Sequence, residues 1–296
     1  MSQLAEQDRA ARTAVPATCY ARRIDPELCA ADVARTIEIF ERIKAGDKSL
    51  EGWVNFPIIN GTGQGGDVGL KPYDGPPRTT ELAAQLPAVS RIVADFLGEG
   101  LSIRIGRIAI LGQRDVLRPH IDTFPNTRLL IPLTEQGDDF RHLYDNACFA
   151  MRVGEVWGGD GTTCHGAANV AETGHRVLLL LDVVGPDEAE ASPPWLRAPW
   201  RIPPSSFVRR APWNEAVRAR EFDHIGEAVR QHGPDAAERE LLLLSFEFAM
   251  PANYVYREML LFAQWMMTRG DAGGFWQRRA DALLNPTLPF QVPVPN

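Results

Sequence analysis

From Leu101 to Val183 the chain is a succession of short apolar runs, broken roughly every ten residues by Gly, Pro, Asp or Asn. Ile103, Ile105, Arg107, Ala109 and Leu111 share one parity, and Arg104, Gly106, Ile108 and Ile110 the other. Arg114 to Asp122, Arg128 to Leu133, Cys148 to Arg152, Val156-Trp157 and Val177 to Leu181 follow as further strand segments, with turns at Phe124–Thr127, Gly154-Glu155 and Gly158–Gly161. Many short strands with turn residues between them close into an antiparallel barrel of two sheets. The expected fold is mainly β with α: a jelly roll, cupin-like, that holds ligands in its mouth.

Within that stretch one order of residues stands out. Pro119-His120-Ile121-Asp122 ends a strand, and side chains at i and i+2 of a strand share a face, so His120 and Asp122 project together. His165 follows a Gly-rich turn, and Arg176 opens the apolar strand Val177-Leu178-Leu179-Leu180-Leu181-Asp182. Two imidazoles and a carboxylate on one face make the facial set that binds non-haem Fe(II) with open positions. Arg176 offers a fork that fits a dicarboxylate co-substrate. Arg118 shares the parity of His120 and Asp122, so it too is expected to point inward as a substrate contact. Trp157 reads either as core or as substrate wall. His175 has the opposite parity to the pocket, while His142 lies in a polar turn and His224 and His232 in the helical tail, as surface or packing residues.

The rest of the chain reads as a frame around the barrel. Residues 1–17 lack periodicity and are expected to fray. A strand at Tyr20–Ile24 leads to Asp25-Pro26-Glu27, a helix start, with Val33, Ile37 and Phe40 on its apolar stripe. Trp53 to Ile59 reads as a strand running into Asn60–Gly66, whose glycines suit a flap; it lacks the Lys-Ser/Thr ending of a phosphate cradle. Thr79-Thr80 caps a helix carrying Leu82, Leu86, Val89, Val93 and Phe96, with a break or kink expected at Pro87. Residues 185–213 carry seven prolines and three tryptophans; the indoles need burial, so this is a clasp. Helices are expected over Glu215–Gln231, Ala236–Ala249, Tyr254–Arg269 and Gln277–Leu284. The expected organisation is 1–17 tail, 18–190 barrel domain, and 191–296 clasp plus helical C-terminal domain.

The net charge of −7 argues against a nucleic-acid partner. No apolar run approaches the roughly 20 residues of a membrane span, and the N-terminus lacks a signal-peptide pattern, so a cytoplasmic location is expected. Cys19, Cys29, Cys148 and Cys164 form no C-x-x-C pair and suggest free thiols. Cys164, beside His165, is more readily a buried structural thiol than a ligand.

These motifs resemble those of the aspartyl/asparaginyl β-hydroxylase superfamily, and more closely its bacterial L-proline cis-3- and cis-4-hydroxylase branch. Trp53 to Gly61 is similar to that branch's aromatic-x-Asn-x-Pro segment, and Pro119-His120-Ile121-Asp122 to its Pro-His-Arg-Asp. Met151-Arg152-Val153-Gly154-Glu155-Val156-Trp157, with Asp160 and His165, is similar to its Met-x-x-Gly-Glu-Ile-Trp run; Arg176 and Asp182 match its closing strand. The resemblance implies a double-stranded β-helix with a helical C-terminal domain, an Fe(II)/2-oxoglutarate dioxygenase that uses O₂, and hydroxylation of a small amino acid, with proline or pipecolate first in line. It assigns the metal to His120, Asp122 and His165 and the distal 2-oxoglutarate carboxylate to Arg176. Arg128 matches an arginine that holds a carboxylate, of substrate or co-substrate, and Arg107 stands where the branch also has arginine. Arg118 and Leu130 depart from the branch's pattern. A carrier-bound or peptidyl substrate is the alternative within this reading; a cupin-like metal sensor or zinc hydrolase is the alternative from another class.

Overall fold

The computed structural model describes residues 17–46, 52–67, 76–122, 127–135, 137–183, 193–197, 202–270 and 274–284. The expected tail, apart from Ala17, and the boundary at 190/191 lie outside them. Eight strands form the barrel: β4 (Ile103–Leu111), β5 (Val116–His120), β6 (Thr127–Pro132), β7 (Phe140–Tyr144), β8 (Ala147–Ala150), β9 (Glu155–Asp160), β10 (His165–Asn169) and β11 (Arg176–Val183). One sheet runs β9-β6-β11-β4, the other β5-β10-β7-β8, and all these pairings are antiparallel. Consecutive strands therefore alternate between sheets, apart from the β7–β8 hairpin. The fold is a double-stranded β-helix. The larger sheet is extended by β1 (Ala17–Arg23) on one edge, and by β2 (Val54–Asn60) with β3 (Arg78–Thr79) on the other.

Alternation along β11 sorts the barrel's contents. Val177, Leu179, Leu181 and Val183 face outward into a core completed by two helices, α1 (Ala30–Gly46) and α2 (Pro87–Gly98), through Val33, Phe40, Val89, Val93 and Phe96. Leu178 and Leu180 face inward, with Leu130, Tyr144, Phe149 and Trp157. Arg176 and Asp182 share that inward parity, at opposite ends of the strand. The break expected at Pro87 is present: a 3₁₀ turn over Ala83–Gln85 ends at Leu86, and Pro87 starts α2, since the first helical position needs no backbone N–H.

Beyond the barrel, α3 (Glu215–His232), α4 (Asp235–Glu247), α5 (Tyr254–Met267) and α6 (Phe275–Leu283) pack around Phe222, Leu241, Phe262 and Trp276. The clasp tryptophans inside the described residues are packed: Trp195 lies against Tyr20 and Phe96, and Trp213 against Phe248. Among the described residues no helix is long and apolar enough to cross a membrane, and the four cysteines are free.

The glycine-rich segment after β2 is tied to its stem. Buried Asn60 donates to the carbonyls of Gln64 and Asp67 and accepts from the amides of Thr62 and Gly63. That network is a fixed turn in place of the expected free flap.

Candidate metal centre

His120 ends β5 and His165 begins β10, and the two residues are directly paired across the smaller sheet. Their rings stand 4.4 Å apart, centroid to centroid. Asp122 follows β5 and is anchored by its amide to the carbonyl of Gly161 at 2.8 Å. Gly161 has no side chain for a reason: a Cβ there would collide with the Asp122 carboxylate. His120 Nε2 lies 3.5 Å and His165 Nε2 3.9 Å from the Asp122 oxygens, and one ligand atom from each residue lies within 4.8 Å of the others. Three adjacent ligands at about 2.1 Å from one ion stand about 3 Å apart, so small side-chain rotations bring this set onto a cation.

Both imidazoles are oriented for it. His120 Nδ1 bonds the carbonyl of Arg118 and His165 Nδ1 that of Thr163, each at 2.9 Å. A carbonyl only accepts, so each Nδ1 carries the proton and each Nε2 presents a lone pair; this is how second partners fix metal-binding histidines. Burial, reinforced by the neighbouring His120, pulls His165 down to about 4, so it is neutral at physiological pH. Burial works against the charge of Asp122, but contact with His120 and the Arg128 guanidinium hold its carboxyl well below the ordinary range.

Arg128, on β6, lines the cavity. It donates from Nη1 to Asp122 at 2.9 Å and from Nε to Asp182 at 2.6 Å. The two carboxylates outweigh burial and raise its pKa. Arg128 thereby ties Asp122 to Asp182. Arg107, 3% exposed, reaches Asp182 at 3.3 Å, while its Nε and Nη1 are buried without partners.

A pocket open to solvent, with about 380 Å³ of empty space counting the solvent at its mouth, runs inward from His165. Trp53, Leu117, Leu130 and Leu180 give it apolar walls, and His142, Tyr144 and His165 are its polar groups besides Arg128. Behind it lies Arg176, 1% exposed. No ion pair is found for its guanidinium among the described residues: Nη2 meets His142 Nε2, the Phe140 ring lies 5.8 Å away, and Nη1 has no partner. Burial alone draws its pKa down to about 9. A buried cation without a counter-ion is costly, and the site is suited to an anion.

Two expected substrate contacts fall elsewhere. Arg118 is exposed because the pairing of β5 with β10 shifts by one residue between His120 and Leu117. That bulge sets two residues, Arg118 and Pro119, against Gly166 and breaks the parity on which the inward expectation rested. Leu117 lines the cavity instead. A Cβ on Gly166 would meet the Leu117 carbonyl at 2.9 Å, so the bulge also requires the glycine. Trp157 is core: it is fully buried, stacked on Phe149 and bonded to Glu155 at 2.8 Å. His175 faces outward to Glu41, as its parity implies. Cys164 stays outside the ligand cluster.

His142 is the residue that sequence reasoning missed. It sits in strand β7 and not in a turn, and is 3% exposed. The spacing Phe140, His142, Tyr144 was the available signal, aromatic rings at i, i+2 and i+4 on one face.

The family model for aspartyl/asparaginyl beta-hydroxylases matches residues 20–186, more than half of the chain. No curated protein matches with significance. Similar solved structures include a 2OG-Fe(II) oxygenase family oxidoreductase from Burkholderia pseudomallei, 16% identical, covering 52% of this chain and 81% of that one at a TM-score of 0.32. HygX from Streptomyces hygroscopicus, solved with nickel and 2-oxoglutarate bound, is 12% identical, with coverages of 68% and 96% and a TM-score of 0.34. A prolyl-4-hydroxylase from Pseudomonas putida is 15% identical, with coverages of 59% and 95% and a TM-score of 0.32.

Proposed function

The chain belongs to the aspartyl/asparaginyl β-hydroxylase family, and from that premise we propose that it is an Fe(II)- and 2-oxoglutarate-dependent dioxygenase that hydroxylates a small amino acid. Proline or a ring homologue such as pipecolate is the first candidate. The observation that carries this reading is the guanidinium of Arg176, without a counter-ion among the described residues and sealed in the barrel behind a His/Asp/His cluster. A zinc hydrolase or a metal sensor has no evident need of that cation.

His120, Asp122 and His165 would hold the ferrous ion, and Arg176 the distal carboxylate of 2-oxoglutarate. Iron with 2-oxoglutarate and O₂ supplies the oxidising chemistry, leaving succinate and CO₂ beside the hydroxylated product. The chain's own residues position and exclude. Arg128 keeps one Asp122 oxygen engaged at 2.9 Å, which favours binding of a metal through the other. Leu130, Leu180, Leu117 and Trp53 line the pocket with apolar surface, against which an apolar ring can pack beside the ion. Arg107, with two unpartnered donors, is the candidate for the substrate's carboxylate, and Arg128 for a second contact to it. Holding both ends of a small substrate fixes which C–H bond faces the metal.

The test is incubation of purified protein with Fe(II), ascorbate, 2-oxoglutarate and a panel of free amino acids, with succinate as the readout. Proline or pipecolate should raise succinate above the uncoupled background. If only peptidyl or carrier-bound residues do so, the substrate class changes; if nothing does, the hydroxylase reading fails.

A further inference from the structure

Strand β7 alternates cleanly. Leu143 faces out to Phe246 and Leu243 of α4, while His142 and Tyr144 face the cavity. Across the sheet His142 pairs with Ala167, a residue too small to cover it. Its ring is stacked on Phe149, 5.8 Å away and tilted by 15°, so it is held in one plane. Nε2 points at Arg176 Nη2.

An imidazole in this place is a poor choice for packing alone. It is a polar ring inside an apolar barrel, set against a cation that has no counter-ion among the described residues. Burial first, then the charge of Arg176, keep it neutral at physiological pH. A neutral imidazole has one donor and one acceptor nitrogen. Since the guanidinium can only donate, Nε2 is the acceptor here and the proton lies on Nδ1. A carboxylate arriving at Arg176 Nη1 reverses that demand, because it can only accept.

We propose that His142 is a positioning residue for the distal carboxylate of 2-oxoglutarate: it caps Arg176 as seen in the structure and changes from acceptor to donor when that carboxylate binds beside it. This rests on the reading that Arg176 receives 2-oxoglutarate. The ring then acts as a two-state partner. It satisfies the guanidinium before the acid arrives, and adds a second hydrogen bond to the acid afterwards. Only the proton moves between the two ring nitrogens, through solvent in the cavity.

The experiment is anaerobic titration of the Fe(II) protein with 2-oxoglutarate, followed by the visible charge-transfer absorption, for wild type, His142→Leu and His142→Gln. A hydrogen bond to a charged group is worth on the order of a ten- to hundredfold change in affinity. His142→Leu should weaken 2-oxoglutarate by that factor while its Fe(II) affinity stays that of wild type. In turnover it should raise the KM for 2-oxoglutarate with little change in kcat. His142→Gln, whose amide can donate or accept, should recover most of the loss. Independently of any variant's folding, ¹⁵N-imidazole spectra of the Zn(II)-loaded wild type should show His142 pass from the Nδ1–H to the Nε2–H form on adding 2-oxoglutarate. Wild type that binds no 2-oxoglutarate overturns the proposed function itself. If wild type binds it, but His142→Leu binds equally well or the tautomer does not change, only the role of His142 is overturned.

Discussion

Replacing Arg176 by methionine should weaken 2-oxoglutarate binding by orders of magnitude without destabilising the protein. The guanidinium is fully enclosed, and burial takes its pKa from 12.5 to about 9. At 1.36 kcal/mol per pH unit, holding that charge in place costs on the order of 5 kcal/mol. Methionine fills a similar elongated volume and removes the cost. Against this stand the lost contact with Phe140 and the orphaned acceptor on His142, together about 2–4 kcal/mol. The variant should therefore be as stable as wild type or more stable by about 1–3 kcal/mol, as when buried charges give way to apolar residues. Its Tm without ligand should rise by up to several degrees. The co-substrate should suffer oppositely. A carboxylate that loses its buried partner forfeits about 3–5 kcal/mol, so its Kd should rise by about two to four orders of magnitude. Thermal unfolding and anaerobic titration read the two effects separately. A variant that unfolds well below wild type, or that binds 2-oxoglutarate normally, would refute the claim that Arg176 is kept for an anion.

Three further outcomes follow from the same geometry. In Gly166→Ala the new methyl would press on the Leu117 carbonyl at 2.9 Å and the Phe246 ring at 3.2 Å; chemical denaturation should show a loss of about 1–3 kcal/mol, and metal affinity should fall as His165 is displaced. Tyr256→Phe on α5 removes a hydroxyl that donates to the Pro119 carbonyl at 2.5 Å, next to His120, and should cost about 1 kcal/mol with a measurable loss of Fe(II) affinity by calorimetry. For the metal-free protein, His165 is neutral in the fold down to about 4 but takes up a proton near 6.5 once unfolded. Stability should therefore be undiminished by this group above pH 6.5 and fall by up to about 3 kcal/mol between pH 6.5 and 4, a slope that a pH series of unfolding curves on His165→Gln should lack.

Much of this site was legible because its parts are close in sequence or announce themselves chemically. His120 and Asp122 share a face by strand parity alone, and a charged Arg176 at the head of five apolar residues is conspicuous. What escaped was set by departures from regularity. The bulge opposite Gly166 turned Arg118 out and brought Leu117 in, and parity counting does not detect an extra residue. Strand β7 was hidden because its flanks, Asp138-Asp139 and Asp145-Asn146, look like turn sequence and its outward Arg141 is polar. Trp157 could have been wall or core; the Glu155 carboxylate that receives its indole N–H decided for core. The antiparallel double-sheet barrel was legible in the spacing of runs and turns, whereas the strand order and the packing of the clasp tryptophans depended on contacts far apart in the chain.

The most direct test is a crystal grown without oxygen from protein loaded with Mn(II) and 2-oxoglutarate, measured for anomalous scattering. We expect one manganese peak bonded to His120 Nε2, His165 Nε2 and a single Asp122 oxygen, with the far carboxylate of 2-oxoglutarate on Arg176. A peak that leaves any of the three residues unbound, or a 2-oxoglutarate that does not reach Arg176, would contradict the account.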